Sequence, residues 1–233
     1  MKKYLVAGRQ PWNKLHFQEV FRPLGDEYFF CASSDGLTDA LKSECHYRYI
    51  FFLHWSDRIP ESILDSYECV CFHMTDVPYG RGGSPLQNLI ARGHRETTLT
   101  ALRMTTDFDA GPVYLKRQLS LEGGTAEEIY QRASRLSCKM ALEIAENELP
   151  TMDQIGNPVL FQRRRPEESR IPTLAKNLLE VFDHIRMLDA TGYPKAFVDL
   201  GNLRLEFERA ALYHDGIKAD VRITLNNPRK PNS

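Results

Sequence analysis

The chemistry this sequence offers is concentrated after one apolar run. Glu68-Cys69-Val70-Cys71-Phe72 leads into His73, and the chain then passes Met74-Thr75-Asp76-Val77-Pro78-Tyr79-Gly80-Arg81-Gly82-Gly83 before Ser84-Pro85 opens a helix with Ser84 as its cap. A strand, a histidine, a glycine-rich loop and a helix start make an active-site edge: imidazole exchanges protons near neutrality, glycine lets backbone approach a ligand, and amides at a helix start meet anions. Cys69, Cys71 and His73 share one face of the strand, which invites a metal reading. Same-face neighbours lie about 6.5–7 Å apart along a strand, too far to converge on one zinc ion, so no metal is expected. A second group follows the first apolar run, Tyr4-Leu5-Val6-Ala7-Gly8, where Arg9 and Lys14 are placed to hold phosphates and Trp12 to stack on a ring. That stretch reads equally as a surface turn before a helix over Lys14–Phe21.

The elements that must position these groups are short apolar runs alternating with helical segments. Strands are expected at residues 4–8, 28–32, 49–53, 68–73, 97–104 and 112–121, with a short helix over 37–42 and a long one over 125–149 carrying Ile129, Leu136, Met140 and Ile144 at helical spacing. Strands alternating with helices indicate parallel βαβ units, whose ligands bind at the carboxyl ends of the strands. Residues 151–169, rich in Pro, Arg and Glu, are read as a domain boundary. Beyond it come a helix near Leu174–Leu188, a turn at Gly192-Tyr193-Pro194, and strands at 196–200, 203–208 and 217–224. The tail from Asn226 to Ser233 is expected to be disordered.

The totals bound the function. The 233 residues carry 30 Lys and Arg against 31 Asp and Glu, a net charge of -1 that gives no electrostatic reason for wrapped nucleic acid. The cluster Arg163-Arg164-Arg165 is followed at once by Glu167 and Glu168 and reads as a solvated face. No apolar run approaches the ~20 residues of a membrane helix, and the start lacks a secretory core, so a cytoplasmic location is expected. Five scattered cysteines do not form a disulfide framework.

His73, Thr75, Pro78, Arg81, Gly82, Pro85, Asp109 and Gly111 match, in order and spacing, the pattern of the formyltransferases that use N10-formyltetrahydrofolate; the chain resembles that family over about its first 165 residues. The resemblance implies an α/β fold: a Rossmann-like catalytic domain with a mostly parallel sheet over residues 1–165, and a small C-terminal α+β subdomain over 170–225. The fuller wording from His73 to Gln87, with Arg186-Met187-Leu188-Asp189-Ala190 and Gly192-Tyr193-Pro194, is similar to short bacterial sugar N-formyltransferases, including members acting in pseudaminic-acid pathways.

The resemblance implies that a primary amine attacks the formyl carbon, with His73 meeting the negative oxygen and Asp109 orienting the ring and accepting the amine proton. The family's catalytic set is Asn, His and Asp; Cys71 occupies the Asn position, and a thiol donates a much weaker hydrogen bond than an amide. N10-formyltetrahydrofolate is the implied cofactor, with its pterin near Arg103, Met104 and Asp107 and the loop of Val77, Pro78, Gly82 and Gly83 against it. Tyr79, Arg81, Arg186, Tyr193 and Lys195 are implied contacts of a UDP- or dTDP-linked amino sugar, together with Arg9, Trp12 and Lys14. No nucleic-acid or membrane partner is expected, and a homodimer is allowed. The alternatives are another acceptor, methionyl-tRNA or a glycinamide ribonucleotide, or a non-catalytic folate and nucleotide-sugar binding module. The tRNA version is disfavoured by a C-terminal part that looks too short and too weakly basic for an RNA-binding barrel.

Overall fold

The computed structural model describes residues 2–25, 27–43 and 45–226; the expectation for residues 227–233 lies outside them. The chain runs β1 (Lys3–Gly8), α1 (Pro11–Val20), β2 (Tyr28–Cys31), α2 (Ser34–Lys42), β3 (Tyr47–Leu53), α3 (Glu61–Ser66), β4 (Cys69–His73), β5 (Tyr79–Gly82), α4 (Pro85–Ala91), β6 (Glu96–Arg103), β7 (Val113–Ser120), α5 (Ala126–Asn147), β8 (Val159–Phe161), α6 (Leu178–Arg186), β9 (Ala196–Leu200), β10 (Leu203–Leu212) and β11 (Ile217–Leu225). It divides into two units. The first holds residues up to Pro85, Glu96–Ser120 and Tyr130–Gln162; the second holds Leu86–Arg95, Leu121–Ile129 and the chain from Arg163 onward.

The first unit is built on a six-stranded sheet in the order β2-β1-β3-β4-β6-β7. β3 is apolar at nearly every position and is buried on both faces, as a central parallel strand must be. Leu5, Ala7, Ile50, Phe52 and Cys69 form one side of the core with Leu37 of α2. On the other side, α5 receives the Tyr4 hydroxyl on the carbonyl of Ala145, and Ser134 Oγ accepts from buried Asn13 of α1. The pairs β1–β2, β1–β3 and β3–β4 are parallel, but β4–β6 and β6–β7 are antiparallel. The sheet is mostly parallel, as expected: β6 alone runs against its neighbours although α4 precedes it, and the turn from β6 to β7 restores the common direction. The carboxyl ends of β1, β3 and β4 bring Gly8, Leu53 and His73 to one edge.

Helix boundaries moved for identifiable reasons. α1 begins at Pro11, not Lys14, because proline suits the first helical position. α6 begins at Leu178, not Leu174, because Asn177 caps it by accepting from the Glu180 amide. Ser84 precedes α4 at φ 49, a left-handed conformation and not the extended one of an ordinary N-cap.

The second unit centres on a three-stranded antiparallel sheet, β11-β10-β9, with α6 against β10. Its two earlier pieces are tied in by side chains. Gln87 donates to the carbonyl of Met187, and Arg186 donates to the carbonyl of Leu121. Among the described residues no helix is long and apolar enough to cross a membrane.

Candidate active site

His73 closes β4 and is buried. Its Nε2 lies 2.8 Å from the carbonyl of Gly80, and its Nδ1 lies 3.3 Å from Asp109 Oδ1. Both ring nitrogens thus face oxygen atoms, and the donor and acceptor roles of the ring depend on its tautomer. Asp109 Oδ2 accepts the amide of Gly82 at 2.9 Å, so a single carboxylate ties the histidine to the glycine loop.

The loop between β4 and α4 is fixed by shape as well as by bonds. β5 lies inside it and pairs with β8, far along the chain. At Gly82 (φ 104) a Cβ would come within 2.6 Å of the carbonyl of Phe161, and at Gly111 within 1.8 Å of the carbonyl of Arg103. Only glycine permits these approaches. Below the loop, buried Thr75 donates to the carbonyl of Gly80, and Thr100 of β6 donates to the carbonyl of Thr75.

Gln154 joins the remaining parts. Its amide nitrogen donates to the carbonyls of Asp109 and Gly111, both at 2.8 Å, and its oxygen accepts from Arg81 Nε and Nη2 at 3.0 and 2.7 Å. Asp109 itself sits at φ 55, so one of the two carbonyls that Gln154 binds belongs to a residue held in the left-handed region.

Cys71 lies two residues before His73 and packs with Val77, Leu102 and Val113. Burial pushes its thiol pKa well up, and the nearby carboxylate of Asp109 and the thiol of Cys69 add to the rise. The sulfur is therefore a neutral thiol at physiological pH, neither nucleophile nor metal ligand. Among the described residues no group of three or more His, Cys, Asp or Glu could hold a metal ion.

Beside Cys71 and Asp109 opens a cleft walled by Ile59, Leu64 and Leu102 and rimmed by the turn from Met104 to Phe108. Apolar walls with exposed main chain at one edge suit a flat heterocycle whose rim makes hydrogen bonds. The cleft encloses about 50 Å³.

Three comparisons bear on this arrangement. Residues 166–224 match the family model described as the methionyl-tRNA formyltransferase C-terminal domain. Among curated proteins, the methionyl-tRNA formyltransferase of Sinorhizobium medicae is 31% identical over 149 residues, 61% of this chain and 47% of that protein. The chain spans about half the length of the curated relatives it matches. Among solved structures, a methionyl-tRNA formyltransferase from Clostridium thermocellum superposes with a TM-score of 0.90 at 39% identity, covering 97% of this chain and 100% of that one. The chain belongs to the formyltransferase family. A sugar N-formyltransferase from a Shewanella species shares the fold at a TM-score of 0.68 and 12% identity, over 91% of this chain and 99% of that one.

The residues expected to serve a formyltransferase fall into three groups. The first group gathers at the site. His73, Asp109 and Cys71 adjoin one another, and Met104 and Asp107 line the cleft. Val77 is buried against Cys71, the carbonyl of Pro78 accepts from Val159, and the amides of Gly82 and Gly83 are taken by Asp109 and Phe161. Arg81 braces the loop through Gln154, while the Tyr79 ring meets Phe161 edge-on.

The second group needs correction. Trp12 is only 8% exposed, turned into the protein by the helix that starts one residue earlier, so its ring does not offer a stacking face at the crevice. Arg103 sends its side chain to a different hollow with Arg48 and Glu68, and lies between Leu102 and Met104 of the cleft, so a pterin there would meet its backbone and not its guanidinium. Arg186 is 2% exposed, its guanidinium engaged by Asp183 and by the carbonyls of Leu121 and Gly124, which makes it an internal brace and not a nucleotide contact.

The third group stands at surfaces. Arg9 is held by Asp57 and Ser34 over the ring of Trp55, Lys14 is exposed on α1, and in the second unit Lys195 pairs with Asp189 and Glu208 beyond the turn that holds Tyr193. Sequence reasoning missed Gln154 altogether; its only signal was a polar side chain in a stretch that looked like a linker.

Proposed function

We propose that the protein transfers a formyl group from N10-formyltetrahydrofolate to the amino group of methionyl-tRNA. One observation carries the choice of acceptor: the 39% identity, over essentially the whole of both chains, to a structure named as a methionyl-tRNA formyltransferase. This supports the alternative expectation of a methionyl-tRNA acceptor over a nucleotide-linked amino sugar, and it speaks against the expectation of no nucleic-acid partner. It also reassigns the C-terminal part, dismissed as too short and too weakly basic for RNA, since that part matches the C-terminal domain model of the same enzyme.

The folate donor supplies the activated formyl carbon. The chain's own residues supply the rest. In this reading Ile59, Leu64, Leu102 and the turn from Met104 to Asp107 hold the donor's ring. His73 releases its Nε2–H hydrogen bond to Gly80 and donates it to the oxygen that gains negative charge. Asp109 keeps the ring oriented and accepts the proton that the attacking amine sheds, and that proton passes to N10 of the donor as the bond between N10 and the formyl carbon breaks, releasing tetrahydrofolate. Cys71 contributes little to the oxyanion, so the Gly82–Gly83 segment and His73 carry that load.

An amino-sugar acceptor is the second reading, and one observation favours it. From residue 163 to the end the sequence holds thirteen Lys and Arg against ten Asp and Glu, a balance that offers a phosphate backbone only a small net attraction. Purified protein is incubated with N10-formyltetrahydrofolate and, separately, with charged initiator tRNA and a panel of UDP- and dTDP-linked amino sugars. Formyl-methionyl-tRNA with release of tetrahydrofolate is the expected result. Turnover on a sugar alone would transfer the proposal to the second reading, and binding of donor without turnover on any amine would leave a non-catalytic module.

A further inference from the structure

The loop that leaves β4 at His73 is caught by a row of side chains standing across three strands. Thr100 of β6 is paired with His73, and Lys116 of β7 is paired with Thr100. Residues directly opposite one another project from the same face of a sheet, so the three side chains share one face. Each meets a main-chain carbonyl of the loop. Thr100 Oγ1 donates to Thr75 at 2.7 Å, Lys116 Nζ donates to Val77 at 2.9 Å, and His73 Nε2 lies 2.8 Å from the carbonyl of Gly80. The strand order β4-β6-β7 then gives the path of the loop: out over β6 at Thr75, to the edge strand at Val77, and back to β4 at Gly80. Lys116 holds the far end.

We propose that Lys116 is a positioning residue for formyl transfer and acts through the carbonyl of Val77. A lysine on an edge strand ordinarily guards the edge and keeps its ammonium in water. Here the side chain is 39% exposed, and the ammonium binds the Val77 carbonyl and the carboxylate of Asp76 together. Asp76 is itself 62% exposed, so the ion pair contributes little to stability. The bond to the carbonyl does something different. Among the described residues, Lys116 supplies the only hydrogen bonds between the six-stranded sheet and residues 76–78. Val77 is buried against Cys71, and the chain beyond it presents Gly80 to His73 and Gly82 to Asp109. When His73 turns from Gly80 to the developing oxyanion, the loop loses its bond to the ring. A loop free to shift with the ring carries the Gly82 amide, and the Asp109 carboxylate bound to it, out of register with His73; a misplacement of ~1 Å can cost ~10²-fold in rate. Tying Val77 to β7 keeps the loop still while the ring moves. The inference rests on the transfer chemistry proposed above and not on which amine accepts the formyl group.

Three variants test it. Lys116→Met keeps the bulk and loses the donors, Lys116→Arg keeps donors and charge, and Asp76→Ala removes the ion pair but leaves the carbonyl bond. On the acceptor that the protein turns over, Lys116→Met is expected to lower kcat ~10-fold with the KM for the folate donor unchanged, and Lys116→Arg to recover most of the loss. Asp76→Ala is expected to stay within about two-fold of wild type. Backbone hydrogen exchange, read by mass spectrometry without substrate, follows the loop directly. Residues 74–83 are expected to exchange faster in Lys116→Met and at the wild-type rate in Asp76→Ala, with both unfolding midpoints close to wild type. Unchanged exchange in Lys116→Met overturns the proposal whether or not the protein turns over any amine. So does a kcat of Lys116→Met within about two-fold of wild type, or an equal loss in Asp76→Ala, which would assign the effect to the ion pair. Faster exchange in a protein whose wild type forms no product supports the anchorage of the loop and overturns the transfer reading alone.

Discussion

The glycine loop of the first unit and the strand pair β10–β11 of the second solve opposite problems. The loop from His73 to Gly83 has almost no regular structure of its own, yet each of its turns is pinned: Gly80 by His73 and Thr75, Gly82 by Asp109 and Phe161, and Asp109 in turn by Gln154. β10 and β11 are regular and well paired, but their apolar row lies open. Regular backbone bonding fixes strands cheaply and leaves side chains free to meet a partner. A site that must hold a histidine and a carboxylate 3.3 Å apart needs bonds of high sequence separation instead.

The sharpest way to break this contrast is to remove the chemistry and keep the shape. His73→Asn and Asp109→Asn are each expected to lower the transfer rate by about 10²–10⁴-fold, with the oligomeric state unchanged. Rates within a factor of a few of wild type in both variants would remove them from the reaction. Next in size is a matched pair of glycine substitutions. Gly111→Ala drives a Cβ to 1.8 Å from the carbonyl of Arg103 and must displace the strand end beside the cleft, whereas Gly201→Ala, at φ 60 in the β9–β10 turn, meets nothing within 4 Å. The first is expected to abolish activity and to destabilise by several kcal/mol, the second to cost only the ~1–2 kcal/mol of a left-handed alanine. Equal shifts in denaturant midpoint would mean that the two regions are not differently constrained. Gln154→Leu comes third. It keeps the bulk but loses four hydrogen bonds, and a rate loss of about ten-fold is expected because the pair it steadies is displaced and not removed. An unchanged rate would show that Arg81 and Gly82 suffice.

Regular elements with periodic burial were legible in the sequence, and so was the likeness that joined His73 to Asp109. The details that make the site rigid were not. β5 and β8 are four and three residues long, too short for any periodic signal, and they pair across nearly 80 residues of chain. Gln154 sits in the Pro- and Arg-rich stretch that composition marks as a boundary, and a glutamine's partners are invisible until the fold brings them near. Arg186 shows the converse error. Charge suggested a ligand contact, but Asp183 three residues before it and two backbone carbonyls make its burial tolerable. The mostly parallel sheet was legible, but the reversal of the single strand β6 was not, because a strand's direction is set by its connection and not by its own residues.

The smallest effect separates the two units by pH. All five cysteines lie in the first unit and none in the second. Burial raises the thiols of Cys31, Cys69 and Cys138 to about 12, and that of Cys71 further. An unfolded thiol titrates near 8.5. Above that pH the unfolded chain loses protons that the folded chain keeps, so the folded state binds more protons and stability falls as pH rises. The contribution is fully present below pH ~8 and declines by at most about 1.4 kcal/mol per thiol for each further pH unit. Trp12 and Trp55 are both in the first unit, so tryptophan fluorescence during denaturation reports on it alone. Its midpoint is expected to fall steadily between pH 8.5 and 10. A midpoint flat across that range would mean that the thiols are not held neutral, and Cys71 would then have to be reconsidered as an ionised neighbour of Asp109.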